Sequence, residues 1–216
     1  MIQYKWEAIV LDLDGTLADT LHDIAESTNA ALIKNGYPPY DINRYRVMVG
    51  NGLQRLIERA ANGADEATVG RIMADFVAIY DRDCLKSTKV YDGMPEVLAI
   101  LRKAGVKLFV VTNKPDAQAQ KIVTGLYGDG LFQGVYGNRE GRATKPDPAL
   151  TIQILSNAGV SPLASLFVGD SDVDIFTAAN AGMKSAGVVW GFRTEQELIS
   201  AGADYIFSKP QDILIV

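Results

Sequence analysis

Cysteine and histidine are nearly missing from this chain: its 216 residues include one of each, Cys84 and His22. A single cysteine excludes an internal disulfide and a cysteine-based zinc site, so a reducing, cytoplasmic setting is expected. A single histidine argues against hydrolytic triads and His-rich metal centres, which leaves chemistry to carboxylates, lysines and hydroxyls. A basic surplus is lacking too. Lys and Arg number 21 against 26 Asp and Glu, a formal charge of −5, which disfavours a nucleic-acid partner or an anionic membrane surface. No run approaches the roughly 20 apolar residues that cross a bilayer. The first apolar stretch, Ala8–Leu13, is broken by Asp12 before a secretory core could form, so no export signal is expected. What the chain does have is 48% hydrophobic residues, enough to exclude disorder and to build a core for one or two domains.

Short apolar runs ending in polar residues and Gly read as buried parallel strands that feed loops. Strong cases are Ala8–Gly15, Val106–Asn113 and Ser165–Asp172, and weaker ones are Gly134–Asn138, Ser185–Gly191 and Asp204–Ser208. Between them, Pro95–Ala104, Pro115–Gly125, Asp147–Gly159, Asp174–Gly182 and Thr194–Ala201 carry helix start and stop signals. The alternation predicts an α/β, Rossmann-like, mostly parallel sheet with helices on both faces. One stretch departs from it. From about Thr20 to Lys86, apolar residues recur at helical spacing in three stripes: Leu21 to Leu32, Leu53 to Ala60, and Val69 to Tyr80. This predicts a small inserted all-helical domain over 20–87, with the core formed by 1–19 and 88–216.

Ligands of open α/β sheets bind at the carboxyl ends of the strands. There the three strong strands end in Asp12-Leu13-Asp14-Gly15-Thr16, Thr112-Asn113-Lys114 and Gly169-Asp170-Ser171-Asp172-Val173-Asp174, and Lys145-Pro146-Asp147-Pro148 precedes a helix. Asp12 and Asp14 can reach one point only if the backbone turns between them, which Gly15 permits. A third carboxylate from Asp170 is costly beside them without a cation. A few carboxylates, waters and a phosphate suit Mg²⁺. Lys145 supplies opposing positive charge, with Lys114 as a rival, and Thr112 and Asn113 offer neutral hydrogen-bonding groups. A carboxylate nucleophile, Mg²⁺ and a lysine together describe phosphoryl transfer through an aspartyl-phosphate.

The segments IVLDLDGTLADT, VVTNK, TKPDP and VGDSDVD resemble the four motifs of the haloacid dehalogenase superfamily, over about Ala8 to Val189. The helical insertion resembles that family's small cap over a Rossmann-like core. VGNGLQRLIERA, VTNKPD and GVVWGFRT followed by ELISAGADYIF are most similar to phosphoglycolate phosphatases. The resemblance implies a Mg²⁺-dependent hydrolase of a small phosphorylated metabolite, with 2-phosphoglycolate as the substrate to expect. It makes Asp12 the nucleophile and a metal ligand. Asp14 becomes the acid/base, meeting the metal through its main-chain carbonyl. Thr112 and Asn113 hold phosphoryl oxygens, Lys145 stabilises charge, Asp170 ligates Mg²⁺ and Asp174 orients the metal's surroundings. Thr16 pins the motif loop. The cap loop around Gly50 and Asn51 faces the substrate.

Rivals are set apart by single residues. Related sugar phosphomutases carry a cap histidine twelve residues after the nucleophile, where this chain has Ile24, with His22 two residues early. Dehalogenases lack the residue equivalent to Asp14. Phosphonate hydrolysis needs a cap lysine, for which Lys34 is the candidate. Pyrophosphate and sugar phosphates are the alternative substrates. A non-catalytic phospholigand-binding protein is expected to have lost Asp12 or Asp14, and both are present. Asp172 competes with Asp170 as metal ligand, and Ser171 reads as a helix cap. Arg55, Arg139 and Arg142 could each meet a substrate or only solvent.

Overall fold

The structure is a computed structural model that describes residues 4–215; positions 1–3 and 216 of the expected core spans lie outside the described residues. In chain order the elements are β1 (Ala8–Leu11), β2 (Ala18–Asp19), α1 (Leu21–Lys34), α2 (Leu53–Ala60), α3 (Glu66–Asp83), β3 (Lys89–Val90), α4 (Met94–Lys103), β4 (Lys107–Pro115), α5 (Asp116–Tyr127), β5 (Gly134–Asn138), α6 (Ala149–Asn157), β6 (Ser165–Gly169), α7 (Asp172–Ala181), β7 (Lys184–Val188), α8 (Glu195–Ser200) and β8 (Tyr205–Phe207). Among the described residues, six strands form one parallel sheet in the order β5-β4-β1-β6-β7-β8. The order reverses at β1, the kind of switch point where open α/β sheets place their ligands.

The sheet is buried on both sides, and the alternation of side chains along its strands shows it. On one face Ile9, Leu11, Leu108, Val110, Leu166 and Val168 pack with Val97 and Leu98 of α4 and Ile122 of α5. On the other, Ala8, Val10, Phe109, Val111 and Phe167 pack with Ile154 and Leu155 of α6 and Ala178 of α7. Two-sided burial is why these segments read as continuous apolar runs. β1 is the central strand, paired on both edges, and all four of its residues have no solvent exposure.

The expected alternation is present; the strands expected from Ala8, Ser165, Ser185 and Asp204 end earlier than expected, the one from Val106 runs on to Pro115, and Gly134–Asn138 is as expected. The chain leaves the sheet at Asp12 and again after Gly169, so Asp12 and Asp170 stand on the first turns beyond β1 and β6. The three apolar stripes are α1, α2 and α3, packed on one another through Ile24, Leu32, Leu56, Ile57, Ile72 and Phe76. Periodicity did not reveal two further features. A 3₁₀ turn covers Ile42–Val47. The two-residue strands β2 and β3 pair antiparallel, Ala18 opposite Val90 and Asp19 opposite Lys89, where the chain enters and leaves the helical insertion. Asp23 reinforces this ribbon: its buried carboxylate accepts the backbone N–H of Ser87, at 2.9 Å from Oδ2, and of Thr88 at 2.8 Å.

Candidate active site

Four strand-end segments meet at the carboxyl edge of β1, β4 and β6. Lys145 is buried there, with Nζ 2.8 Å from Asp12 Oδ1 and 2.6 Å from Asp174 Oδ1. One carboxylate oxygen from each of Asp12, Asp170 and Asp174 falls within 4.8 Å of the others, and all three residues are buried. Asp174 has little capacity left. Its Oδ1 holds Lys145 while Oδ2 accepts from the Ser171 N–H at 3.1 Å and hydroxyl at 2.7 Å. Among the described residues Asp170 is tethered at one oxygen only, where Oδ2 accepts the Phe192 N–H at 2.7 Å. Asp12 and Asp170 are therefore the carboxylates with free oxygens, and Asp174 orients Lys145. Asp172 is exposed on the surface of α7, and Ser171 is the N-cap of that helix.

Burial sets the electrostatics. Desolvation, with Asp174 and Asp14 as like charges, outweighs the nearby Lys145 and pushes the Asp12 carboxyl up to about 6. Burial and the charges of Asp174 and Asp12 push Asp170 well above the usual carboxylate range, against the opposing Phe192 N–H. Burial works against the Lys145 ammonium, yet Asp12 and Asp174 hold it above the ordinary lysine value. Three buried carboxylates against one lysine leave an excess of negative charge. Hard oxygen donors in that arrangement fit a divalent cation, held by Asp12 and Asp170 beside Asp174.

Close backbone approach makes the cluster possible. A Cβ on Gly15, whose φ is +82°, would lie 2.2 Å from Asp170 Oδ2. A Cβ on Gly191 would lie 2.3 Å from Asp170 Cβ and 2.5 Å from the Gly15 carbonyl oxygen. The 190–193 loop is pinned to the first motif by Trp190 Nε1, which donates to the Thr16 carbonyl at 3.1 Å. It is also clasped by the helical insertion. Arg46 donates to the Gly191 carbonyl at 2.9 Å, while Arg193 donates to the carbonyls of Val49, at 2.8 Å, and Arg46.

Asp14 stands beside Asp12 and faces a cavity of about 50 Å³ between sheet and helices. Its Oδ1 accepts from Thr20 Oγ1 at 2.7 Å and Lys114 Nζ at 2.8 Å. Thr112, Asn113 and Gly50 line the same cavity, and Ile24, Leu56 and Phe76 form its apolar roof. The Asn113 amide is already engaged: Oδ1 accepts the Lys145 N–H at 2.9 Å and Nδ2 donates to the carbonyls of Gly50 and Lys145. It braces the lysine loop against the loop at Gly50. Asn51 is not brought into the cavity; its Oδ1 accepts from Arg59 at 2.7 Å on an outer groove. His22 is half exposed and lies 4.0 Å from Asp23, Lys34 pairs with Asp75 on the surface, and Arg55 pairs with Glu58. Arg139 and Arg142 brace the end of β5 through Asp116 and the Gly137 carbonyl.

Sequence reasoning passed over Thr20, Tyr80, Asp23, Arg46 and the functional weight of the 190–193 loop. For Thr20, the available signal was a hydroxyl at the start of an apolar helical stripe, six residues after Asp14. For Trp190–Arg193, it was a Gly flanked by aromatics after a strand.

A parallel sheet with a carboxylate, lysine and metal-ready cluster at its switch point, roofed by a helical insertion after the first strand, defines a hydrolase of one architecture. The model of the haloacid dehalogenase-like hydrolase family matches residues 9–188, and the chain belongs to that family. Among similar proteins, a phosphoglycolate phosphatase of Pseudomonas putida is 35% identical over 85% of this chain and 70% of its own length. An N-acetylmuramic acid 6-phosphate phosphatase of Pseudomonas aeruginosa is 34% identical over 100% of this chain and 96% of its own. The crystal structure described as a predicted phosphoglycolate phosphatase from Haemophilus somnus superposes with a TM-score of 0.90 at 32% identity, covering 98% of both chains.

Proposed function

We propose that the chain is a Mg²⁺-dependent phosphomonoester hydrolase of a small metabolite, with 2-phosphoglycolate the best single substrate, and that 20–87 acts as a cap over a core of 1–19 and 88–216. The observation that carries the reading is the 2.8 Å contact between Asp12 and Lys145 in a buried three-carboxylate cluster under a roofed cavity. Asp12 attacks phosphorus, forming an aspartyl-phosphate as the ester P–O bond breaks, and Asp14 gives its proton to the departing alkoxide. Asp14 then takes a proton from water as that water attacks phosphorus, the Asp12–phosphorus bond breaks, and inorganic phosphate leaves. Lys145 offsets the charge on Asp12 and the phosphoryl oxygens. Thr112 offers its hydroxyl to those oxygens, and Asn113 holds Lys145 and the cap loop in register. Asp12, Asp170 and the Asp14 carbonyl would hold Mg²⁺, which would supply charge neutralisation of the phosphoryl group.

Two observations bear on the substrate. Several relatives carry the phosphoglycolate phosphatase name, and the cavity wall formed by Ile24, Leu56 and Phe76 is apolar and offers no partner to the hydroxyls of a sugar. Ile24, at the position where the resemblance places a phosphomutase histidine, presents an apolar side chain to the cavity. The test is a kinetic screen of phosphate esters, pyrophosphate and sugar phosphates with and without Mg²⁺. Turnover is expected with Mg²⁺ and a preference for 2-phosphoglycolate of about tenfold or more in kcat/KM. Asp12→Asn is expected to lower kcat by about three orders of magnitude or more with an unchanged circular dichroism spectrum. Near-normal turnover by that variant rules out the mechanism.

A further inference from the structure

The cavity floor holds one more charged group than the reaction above uses. Lys114 lies near the end of β4 with its side chain only 4% exposed. An ammonium has three N–H donors to satisfy. One goes to Asp14 Oδ1 at 2.8 Å, and the Tyr80 ring, 4.6 Å from Nζ, covers a second side. Among the described residues Nζ makes no other hydrogen bond. Tyr80 is 1% exposed, its hydroxyl has no hydrogen-bond partner among the described residues, and it lines the same cavity. Buried donors without acceptors are uncommon in native proteins. The Tyr80 hydroxyl and the Lys114 N–H not given to Asp14, from different elements at one cavity, mark a place for an acceptor that the described residues do not provide.

The surroundings specify that acceptor. Among the described residues lining the cavity, Lys114 is the sole cation, and the facing wall is apolar. Lys145 is committed to Asp12 and Asp174. An anionic group drawn to Lys114 sits next to Asp14, on the side where the leaving group departs. Lys114 is buried there beside Leu56 and Phe76, so its attraction for that group is stronger than at a solvated surface. A neutral tail leaves both donors unmet, and a cationic one is repelled.

We infer that Lys114, with the Tyr80 hydroxyl, binds a carboxylate on the leaving-group side of the substrate and thereby selects small phosphate esters of hydroxy acids. The inference rests on the phosphatase reading and narrows it to a substrate class. The test uses the full chain with Mg²⁺ and three esters with two-carbon skeletons: 2-phosphoglycolate, ethyl phosphate and phosphoethanolamine, ending in carboxylate, methyl and ammonium. The wild type is expected to favour them in that order, with a first step of about tenfold or more in kcat/KM. Lys114→Met and Lys114→Gln are each expected to shrink the carboxylate-to-methyl ratio by about tenfold or more, through KM for 2-phosphoglycolate in particular. Lys114→Arg is expected to keep most of the ratio, and Tyr80→Phe to lower it by a few-fold. Inhibition of wild-type ethyl phosphate hydrolysis by glycolate and not by ethanol is expected whether or not the variants fold.

A ratio unchanged in both charge-removing variants, an equal fall for all three esters, or indifference to glycolate overturns the inference and leaves the phosphatase reading standing. Absence of Mg²⁺-dependent hydrolysis of any phosphate ester overturns both.

Discussion

Replacing Asp12, the proposed nucleophile, by Asn is expected to make the metal-free protein more stable. Asp12 is 6% exposed among like charges, and its carboxyl is raised from 3.8 to about 6. In the unfolded chain the group returns to its ordinary value, so between those two values the native state holds more protons. Stability from this group therefore falls as pH rises from about 4 to about 6, and the full penalty persists above that range. Below about pH 4 both states are protonated and nothing is lost. At 1.36 kcal/mol per pH unit the penalty is about 3 kcal/mol. Asn has the same shape without the charge, while Lys145 keeps Asp174 at 2.6 Å. In EDTA at pH 7.5, Asp12→Asn is expected to exceed the wild type by about 2–3 kcal/mol, with the gap closing towards pH 4. Millimolar Mg²⁺ is expected to close the same gap from the other side by stabilising the wild type. Urea unfolding followed by circular dichroism, at several pH values with EDTA or Mg²⁺, measures it. A variant less stable than wild type at pH 7.5 in EDTA, or a gap that ignores pH, refutes the reasoning.

Asp23→Ala removes the acceptor for the Ser87 and Thr88 amides; a loss of about 1–3 kcal/mol is expected in urea unfolding, with faster hydrogen exchange at those two amides. Gly191→Ala drives a methyl group against Asp170 and the Gly15 carbonyl. It is expected to raise the Mg²⁺ concentration for half-maximal turnover by about tenfold, with calorimetric Mg²⁺ titration as the independent check. Arg193→Met cuts the clasp on Val49 and Arg46, so a KM increase of a few-fold and greater protease sensitivity around residues 46–52 are expected, against an unchanged digestion pattern if the clasp is idle.

How much was legible beforehand depended on range. β5 was readable to the residue because Gly134 and Asn138 punctuate it, and β1 because four consecutive apolar residues run into Asp12. The meeting of Asp12, Lys145 and Asp170 was inferable because parallel strands aim their ends at one edge, although 158 positions separate Asp12 from Asp170. Tertiary decisions left no local pattern. Nothing in Asn113 announces that its amide is spent on the Lys145 loop, and nothing in Asn51 announces that Arg59 turns it outward. Arg46 and Arg193 form a clasp across 147 positions through main-chain carbonyls, which any residue type supplies. β2 and β3 are two residues each, too short for a period-two signal.

The ribbon formed by β2 and β3 sets the two crossings of the polypeptide side by side, Ala18 against Val90. A segment that begins and ends at neighbouring points imposes nothing on the topology it hangs from. The order of the six-stranded sheet is indifferent to what is suspended there, so the suspended part behaves as an interchangeable cassette. Grafting a foreign helical unit between positions 19 and 89 asks that its ends lie about one strand spacing, roughly 5 Å, apart and that it meet Asn113 and Arg193 as Gly50 and Val49 do. On the proposed reading of 20–87 as a cap, selectivity and bond-breaking power can then be inherited from different parents in a single chain.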